Sequence, residues 1–176
     1  MLFRSVTPDI VVLGKPIANG YPMGAVITTR EIADSFNNGM EFFSTFGGST
    51  AACVAGRATL QVTIEENLQQ HALAVGTRLL SGLRPLVNQM ELVGDVRGSG
   101  LFIGVELVRN RDTLEPAAEE ATFVVNRMRA RGVLAGTDGP FHNVIKLRGP
   151  MPLAFSDADR IVETLTRSLY ELPHRT

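Results

Sequence analysis

The chain has 176 residues, 44% of them hydrophobic and 20% charged, with a formal net charge of −1. That is ordinary for a globular protein with one core or two small ones, and it leaves no electrostatic footprint for nucleic acid or an anionic membrane. No apolar stretch reaches the roughly 18 residues of a membrane span.

In chain order, residues 7–14 read as a strand. The run Ile10-Val11-Val12-Leu13-Gly14 is continuous, apolar and β-branched, the pattern of a buried, parallel-type strand. Residues 15–24, rich in Gly, Pro and Asn, read as a turn. Lys15 stands alone at the mouth of the strand. An amine there loses hydration, which lowers its pKa and makes it a usable nucleophile; the plainer alternative is a surface lysine that ends a strand. Residues 25–29 form a second short strand. Arg30 to Phe36 is a helix capped by Thr29 and ended by Asn37-Asn38-Gly39. A loop covers 44–49. From Thr50 the chain is helical, with small residues in the first turns and Ala58, Val62 and Ile64 among its apolar positions, up to a break at Glu65-Glu66-Asn67. The single cysteine, Cys53, lies in this stretch; it rules out an internal disulfide, fits a reducing, cytoplasmic compartment, and is expected to be a buried packing residue. The opening Met1-Leu2-Phe3-Arg4-Ser5 is too short for a signal peptide and lacks a cleavage site.

A helix over 68–86 carries Leu68, Ala72, Val75, Leu79, Leu83 and Leu86 at spacings of three and four. Strands over 92–97 and 101–108 are joined by Gly98-Ser99-Gly100, which lacks the third glycine of a dinucleotide fingerprint. A helix over 116–130 is closed by Arg131-Gly132. Short strands follow at 133–135 and 143–147. A last helix is capped by Ser156, with Asp159 as its capping-box partner, and buries Ile161, Leu165, Leu169 and Leu172. His71, His142 and His174 show no metal-ligand spacing. The alternation of strands and helices places the chain in the α/β or α+β class.

Three segments carry a resemblance. Pro8-Asp9-Ile10-Val11-Val12-Leu13-Gly14-Lys15 with Asn19-Gly20-Tyr21-Pro22-Met23-Gly24-Ala25-Val26 resembles the cofactor-lysine segment of class III pyridoxal-phosphate aminotransferases. Ser44-Thr45-Phe46-Gly47-Gly48-Ser49, its threonine thirty residues after the lysine, is similar to the family's Thr-aromatic-Gly-Gly segment. Val93-Gly94-Asp95-Val96-Arg97-Gly98-Ser99-Gly100-Leu101-Phe102-Ile103-Gly104-Val105-Glu106 is similar to the strand pair of the family's C-terminal domain. The matches run in order from about residue 7 to the C-terminus.

The resemblance implies an α/β chain with part of the fold type I architecture. Residues 1–67 would be the end of the large cofactor-binding domain with its lysine and linking helix, and 68–176 the small C-terminal α+β domain. The implied cofactor is pyridoxal 5'-phosphate, held by Lys15 as a Schiff base, with the freed lysine moving a proton during transfer between an amine or amino acid and a 2-oxo acid. Thr45 would offer its hydroxyl to the cofactor phosphate, usually across a subunit interface, which implies a homodimer. Gly47 and Gly48 would allow close backbone approach. Ser49 and Thr50 stand where the family often has Asn and Pro.

Many members carry an arginine that grips the substrate carboxylate two residues before a Pro-Pro pair. Aligned on Gly149-Pro150, that position holds Lys146, with Arg148 on the same strand face, so either residue is a candidate for the substrate's anion. The form Lys146-Leu147-Arg148-Gly149-Pro150, preceded by Gly139-Pro140-Phe141-His142-Asn143-Val144, looks closer to the family's phospho-lyase branch, which eliminates phosphate from an amino-alcohol phosphate. Arg97 is a recurring residue, expected in a structural salt bridge. In the family the phosphate loop, the aspartate that pairs with the pyridine nitrogen and the ring-stacking aromatic all precede the lysine, and such enzymes are usually more than twice this length. The chain is therefore expected to be a C-terminal fragment, inactive as it stands.

Overall fold

The computed structural model describes residues 6–173; the leader reading of residues 1–5 and the reading of His174 fall outside them. The chain divides into two compact units, one ending at Asn67 and the other starting at Leu68.

The first unit is built on a hairpin. Strand β1 (Ile10–Leu13) pairs antiparallel with β2 (Ala25–Thr28), in the register Ile10↔Thr28 to Leu13↔Ala25. Between them Lys15–Ala18 forms one turn of 3-10 helix, with Pro16 in its first turn, where a missing N–H costs nothing. Helix α1 (Arg30–Phe36) starts at Thr29, whose Oγ1 accepts from Ile32 N at 3.4 Å. Helix α2 (Thr50–Glu65) packs on the 3-10 turn through Ala52 and Gly56; a Cβ on Gly56 would lie 2.5 Å from Met23 Sδ.

Two expectations fail in this unit. β1 is not a buried parallel strand: its partner among the described residues is β2 alone, and Ile10 and Val12 are 53% and 74% exposed. A continuous apolar run is buried only where other strands and layers cover both faces, and a two-stranded hairpin supplies neither. Cys53 is exposed rather than packed. The packed stripe of α2 is narrow, and Cys53 sits about 100° round the helix from Ala52. For the same reason Val62 and Ile64 remain exposed.

The second unit is an antiparallel sheet with helices on one face. Helix α3 (Leu68–Leu83) and a short α4 (Leu86–Gln89) lead into β3 (Val93–Ser99), β4 (Phe102–Asn110) and the two-residue β5 (Glu115–Pro116). Then come α5 (Ala118–Ala130), β6 (Gly136–Asp138), β7 (Val144–Arg148) and α6 (Phe155–Tyr170). The strand order is β3-β4-β7-β6, with β5 pairing β4. Ile103, Val105, Ile145 and Leu147 point inward against Val75, Leu79, Leu83, Val124, Met128 and Leu165. The alternate residues of β4 and β7 point to the other face.

Four element boundaries differ from the sequence reading. The helix expected over 68–86 breaks at Pro85, which cannot donate a helical hydrogen bond, though Leu83 and Leu86 stay buried. Pro116 lies opposite Val108 in β5, so the following helix starts at Ala118. The strand expected at 133–135 forms at Gly136–Asp138 instead. Val133 N bonds Met128 O and Gly132 N bonds Arg129 O, both at 3.0 Å, with Gly132 at φ +80°; Val133 thereby completes the C-terminal cap of α5 and is withheld from the sheet. The last helix starts without a side-chain cap at Ala154, one residue before Phe155; Ser156 lies inside it, and Asp159 bonds Arg78 at 2.7 and 3.1 Å.

Candidate active site

Lys15 follows β1 as the first residue of the 3-10 turn, at φ +53°. Asn19, at φ +49°, closes the turn through its N–H to Pro16 O at 2.8 Å. The side chain of Lys15 is exposed, and among the described residues it makes no hydrogen bond or ion pair. The desolvation expected at the mouth of a buried strand is absent, because β1 is not buried.

The loop bearing Thr45 is shaped by its own backbone. Ser44 Oγ accepts from Gly47 N at 3.0 Å, and Ser49 N donates to Phe46 O at 3.2 Å before the chain enters α2. Gly48 holds φ +73°, where a side chain would be strained although the space beside it is open. Thr45 is exposed and Phe46 is 86% exposed. Neither the Thr45 hydroxyl nor the Gly48 N–H has a partner among the described residues. A free hydroxyl and a free backbone N–H in a glycine turn are a donor set suited to a phosphate.

Lys146 and Arg148 lie on β7 in the second unit, on one face as their spacing implies, while Ile145 and Leu147 point to the core. Lys146 is ion-paired with Asp138 on β6. Asp138 also accepts from Gly139 N at 2.8 Å. The Lys146 ammonium first, and then that N–H, hold the Asp138 carboxyl below its ordinary range. Arg148 is exposed, stands opposite Phe102 in the sheet register, and has no polar partner among the described residues. Sequence reasoning passed over Asp138; the Asp-Gly pair at the end of β6 marked a turn, but not the lysine it would hold.

Arg97 lies between Asp95, at 2.7 Å, and Glu106, at 2.6 Å, and both raise its guanidinium pKa further above the ordinary value. It is the structural salt bridge the sequence suggested. His71 Nε2 is 2.8 Å from Leu153 O, and its ring meets Phe155 edge-on. Among the described residues no three His, Cys, Asp or Glu side chains are grouped to hold a metal ion, and no helix is long and apolar enough to cross a membrane.

Comparison with known proteins places the chain in a family. The family model described as Aminotransferase class-III matches residues 1–169. A Drosophila melanogaster protein called alanine–glyoxylate aminotransferase 2-like is 44% identical over 174 residues, covering 96% of this chain and 35% of that protein. Among solved structures, an Arthrobacter phospholyase in complex with phosphoethanolamine superimposes with a TM-score of 0.91 at 37% identity, covering 96% of this chain and 40% of that one. A PLP-bound amine transaminase from an uncultivated Pseudomonas species gives a TM-score of 0.84 at 35% identity, covering 94% and 39%. The chain thus spans about a third of the length of the curated relatives it matches.

Proposed function

This chain belongs to the class III aminotransferases, whose cofactor is pyridoxal phosphate, and from that premise we propose that Lys15 is the amine that holds the cofactor during transfer of an amino group to a 2-oxo acid. The donor is an amino acid or amine. The observation that carries the reading is Lys15 itself: a lysine at a strand end, fixed by the turn that follows, with its amine exposed and unpaired among the described residues. Pyridoxal phosphate, when bound, withdraws the electron pair left at the substrate carbon after its proton is taken. Lys15 Nζ takes that proton and returns it, acting as general base and then general acid. Thr45 Oγ1 and the Gly48 N–H would give donors to the phosphate, with Gly47 allowing close backbone approach. We assign the residues up to Asn67 to the large cofactor-binding domain and those from Leu68 to the small domain, with a homodimer as the working assembly and Thr45 serving the site of the second copy. A cytoplasmic location is part of the proposal; relatives from Arabidopsis thaliana and Homo sapiens are named as mitochondrial, so fractionation tests it separately.

A second reading, elimination of phosphate from an amino-alcohol phosphate, is favoured by the Lys146-Leu147-Arg148-Gly149-Pro150 pattern and by the similarity to the phospholyase. Product analysis of the holoenzyme separates the two. A new amino acid from a 2-oxo acid supports transamination. Free phosphate and ammonia from phosphoethanolamine support elimination. Failure of borohydride to trap pyridoxal phosphate on Lys15 contradicts both.

A further inference from the structure

The sequence holds two Asn-Gly pairs, Asn19-Gly20 and Asn38-Gly39, both in the first unit. An asparagine before glycine can react with its own chain. The glycine N attacks Asn Cγ, the new C–N bond closes a cyclic imide, and the side-chain amide leaves as ammonia. Water then opens the ring. Cleavage at Cγ gives aspartate; cleavage at the main-chain carbonyl gives isoaspartate, in which the chain runs through the side chain. The sum is asparagine plus water to acid plus ammonia, with no oxidant or reductant. Closure brings Cβ and the glycine N into line across the asparagine Cα–C bond, so its rate depends on what holds that bond in place.

The two pairs are held differently. Asn19 sits at φ 49° and ψ 47°, in a turn closed by Asn19 N to Pro16 O at 2.8 Å and Tyr21 N to Ala18 O at 3.1 Å. The second bond spans the Asn19-Gly20 peptide. Ala18 is buried, and the turn packs on α2. Swinging Asn19 into the closing geometry breaks that turn. Asn38 is exposed and lies outside any helix or strand. Its N–H donates to Phe36 O at 2.9 Å, but that bond lies before the one that must turn. Asn38 Oδ1 accepts from Met40 N at 3.0 Å, which folds the side chain back along the chain and draws electrons from Cγ. Gly39 N has no partner among the described residues, and a Cβ on Gly39 would meet nothing within 4 Å, so the nucleophile is open to water and base. We propose that Asn38 is a site of spontaneous isoaspartate formation, and that Asn19 is shielded from it by its turn. The product places a new carboxylate in the segment that leads from α1 to Thr45. It also presents the carboxyl that isoaspartyl methyltransferases accept.

The test needs no activity. The full chain, folded and in urea, is incubated side by side at mildly alkaline pH. Aliquots are digested and mapped by mass spectrometry for amide-to-acid conversion at each Asn-Gly pair. Isoaspartate is counted with a protein isoaspartyl methyltransferase and isotope-labelled S-adenosylmethionine. In the folded chain Asn38 is expected to convert at least about tenfold faster than Asn19, because closure at Asn19 gives up two backbone hydrogen bonds. In urea that gap is expected to close. Asn38→Gln, whose longer side chain closes a ring far more slowly, is expected to remove the methyl-accepting signal of the folded chain, and Asn19→Gln to leave it. Equal rates in the folded chain, or faster conversion at Asn19, overturn the inference. So does a gap that persists unchanged in urea, since it then belongs to the neighbouring residues and not to the fold. A folded-chain signal that survives Asn38→Gln overturns it as well.

Discussion

Gly76 offers a test in which two effects of one substitution oppose each other. A glycine to alanine change inside a helix is expected to stabilise by roughly 1 kcal/mol, through backbone entropy and helix propensity. At Gly76 on α3, however, an added Cβ would lie 2.0 Å from Gly100 O, 2.3 Å from Gly100 C and 2.8 Å from Gly100 Cα. Ordinary contact begins at about 3.5 Å, so α3 and the β3–β4 turn must part by more than about 1 Å. Both partners are backbone, and neither can rotate aside. Overpacking of this kind costs about 1–3 kcal/mol, and parting the layers also loosens Val75 and Leu79, which are fully buried beside it. The clash therefore wins. Gly76→Ala is expected to lose a net of about 1 kcal/mol and to lower Tm by roughly 3 °C in a circular dichroism melt. Gly136→Ala is the reference: a Cβ there meets nothing within 4 Å, so its change is expected to stay within about 0.5 kcal/mol. A Tm for Gly76→Ala equal to or above that of Gly136→Ala would refute the reasoning.

Three further expectations follow from the structure. Arg111 donates to the carbonyls of Val87, Met90, Glu91 and Val93, gathering the end of α4 and the start of β3 under one guanidinium; Arg111→Ala is expected to cost about 1–2 kcal/mol by urea denaturation and to speed amide exchange over residues 86–93. The carboxyls of Asp138, Asp159 and Glu171 are held below their ordinary range, chiefly by hydrogen bonds from Lys146, from Arg78, and from Arg127 with Arg131. Because these pKa values are lower folded than unfolded, their stabilisation is full above the ordinary carboxylate range and is lost as pH falls from that range through the lower folded values; Tm should stay level down to about pH 5 and drop below about pH 4, less steeply in Glu171→Gln. Since the chain covers about a third of the length of its relatives, the 176 residues by themselves are expected to give no transamination above a buffer control in a coupled amino-acid assay; turnover at the rate of a full-length relative would contradict this.

The sequence announced most elements of the second unit because its apolar spacings coincide with the faces that are covered. Val75, Leu79 and Leu83 repeat along one side of α3, and Leu165 and Leu169 along one side of α6, and all of them are buried. Periodicity could not show which apolar runs lack a cover. The run Ile10 to Leu13 has the composition of a buried strand but is paired on one edge, and Cys53 lies off the narrow packed stripe of α2. The late start of β6 depends on a cap that takes up Val133, a non-local choice between two hydrogen-bonding partners. On β7 the shared face of Lys146 and Arg148 was legible from strand alternation. Their unequal engagement was not, since it depends on the register that brings Asp138 beside Lys146.

The most direct test of the central claim exploits the fact that the chain has two lysines, Lys15 and Lys146. The protein is incubated with pyridoxal phosphate, reduced with borohydride and digested, and the label is located by mass spectrometry. Lys146 is tied to Asp138 and Lys15 is unpaired among the described residues. The account predicts label concentrated on Lys15 and lost in Lys15→Ala. Label spread equally over both lysines at a low level, or found mainly on Lys146, would contradict it.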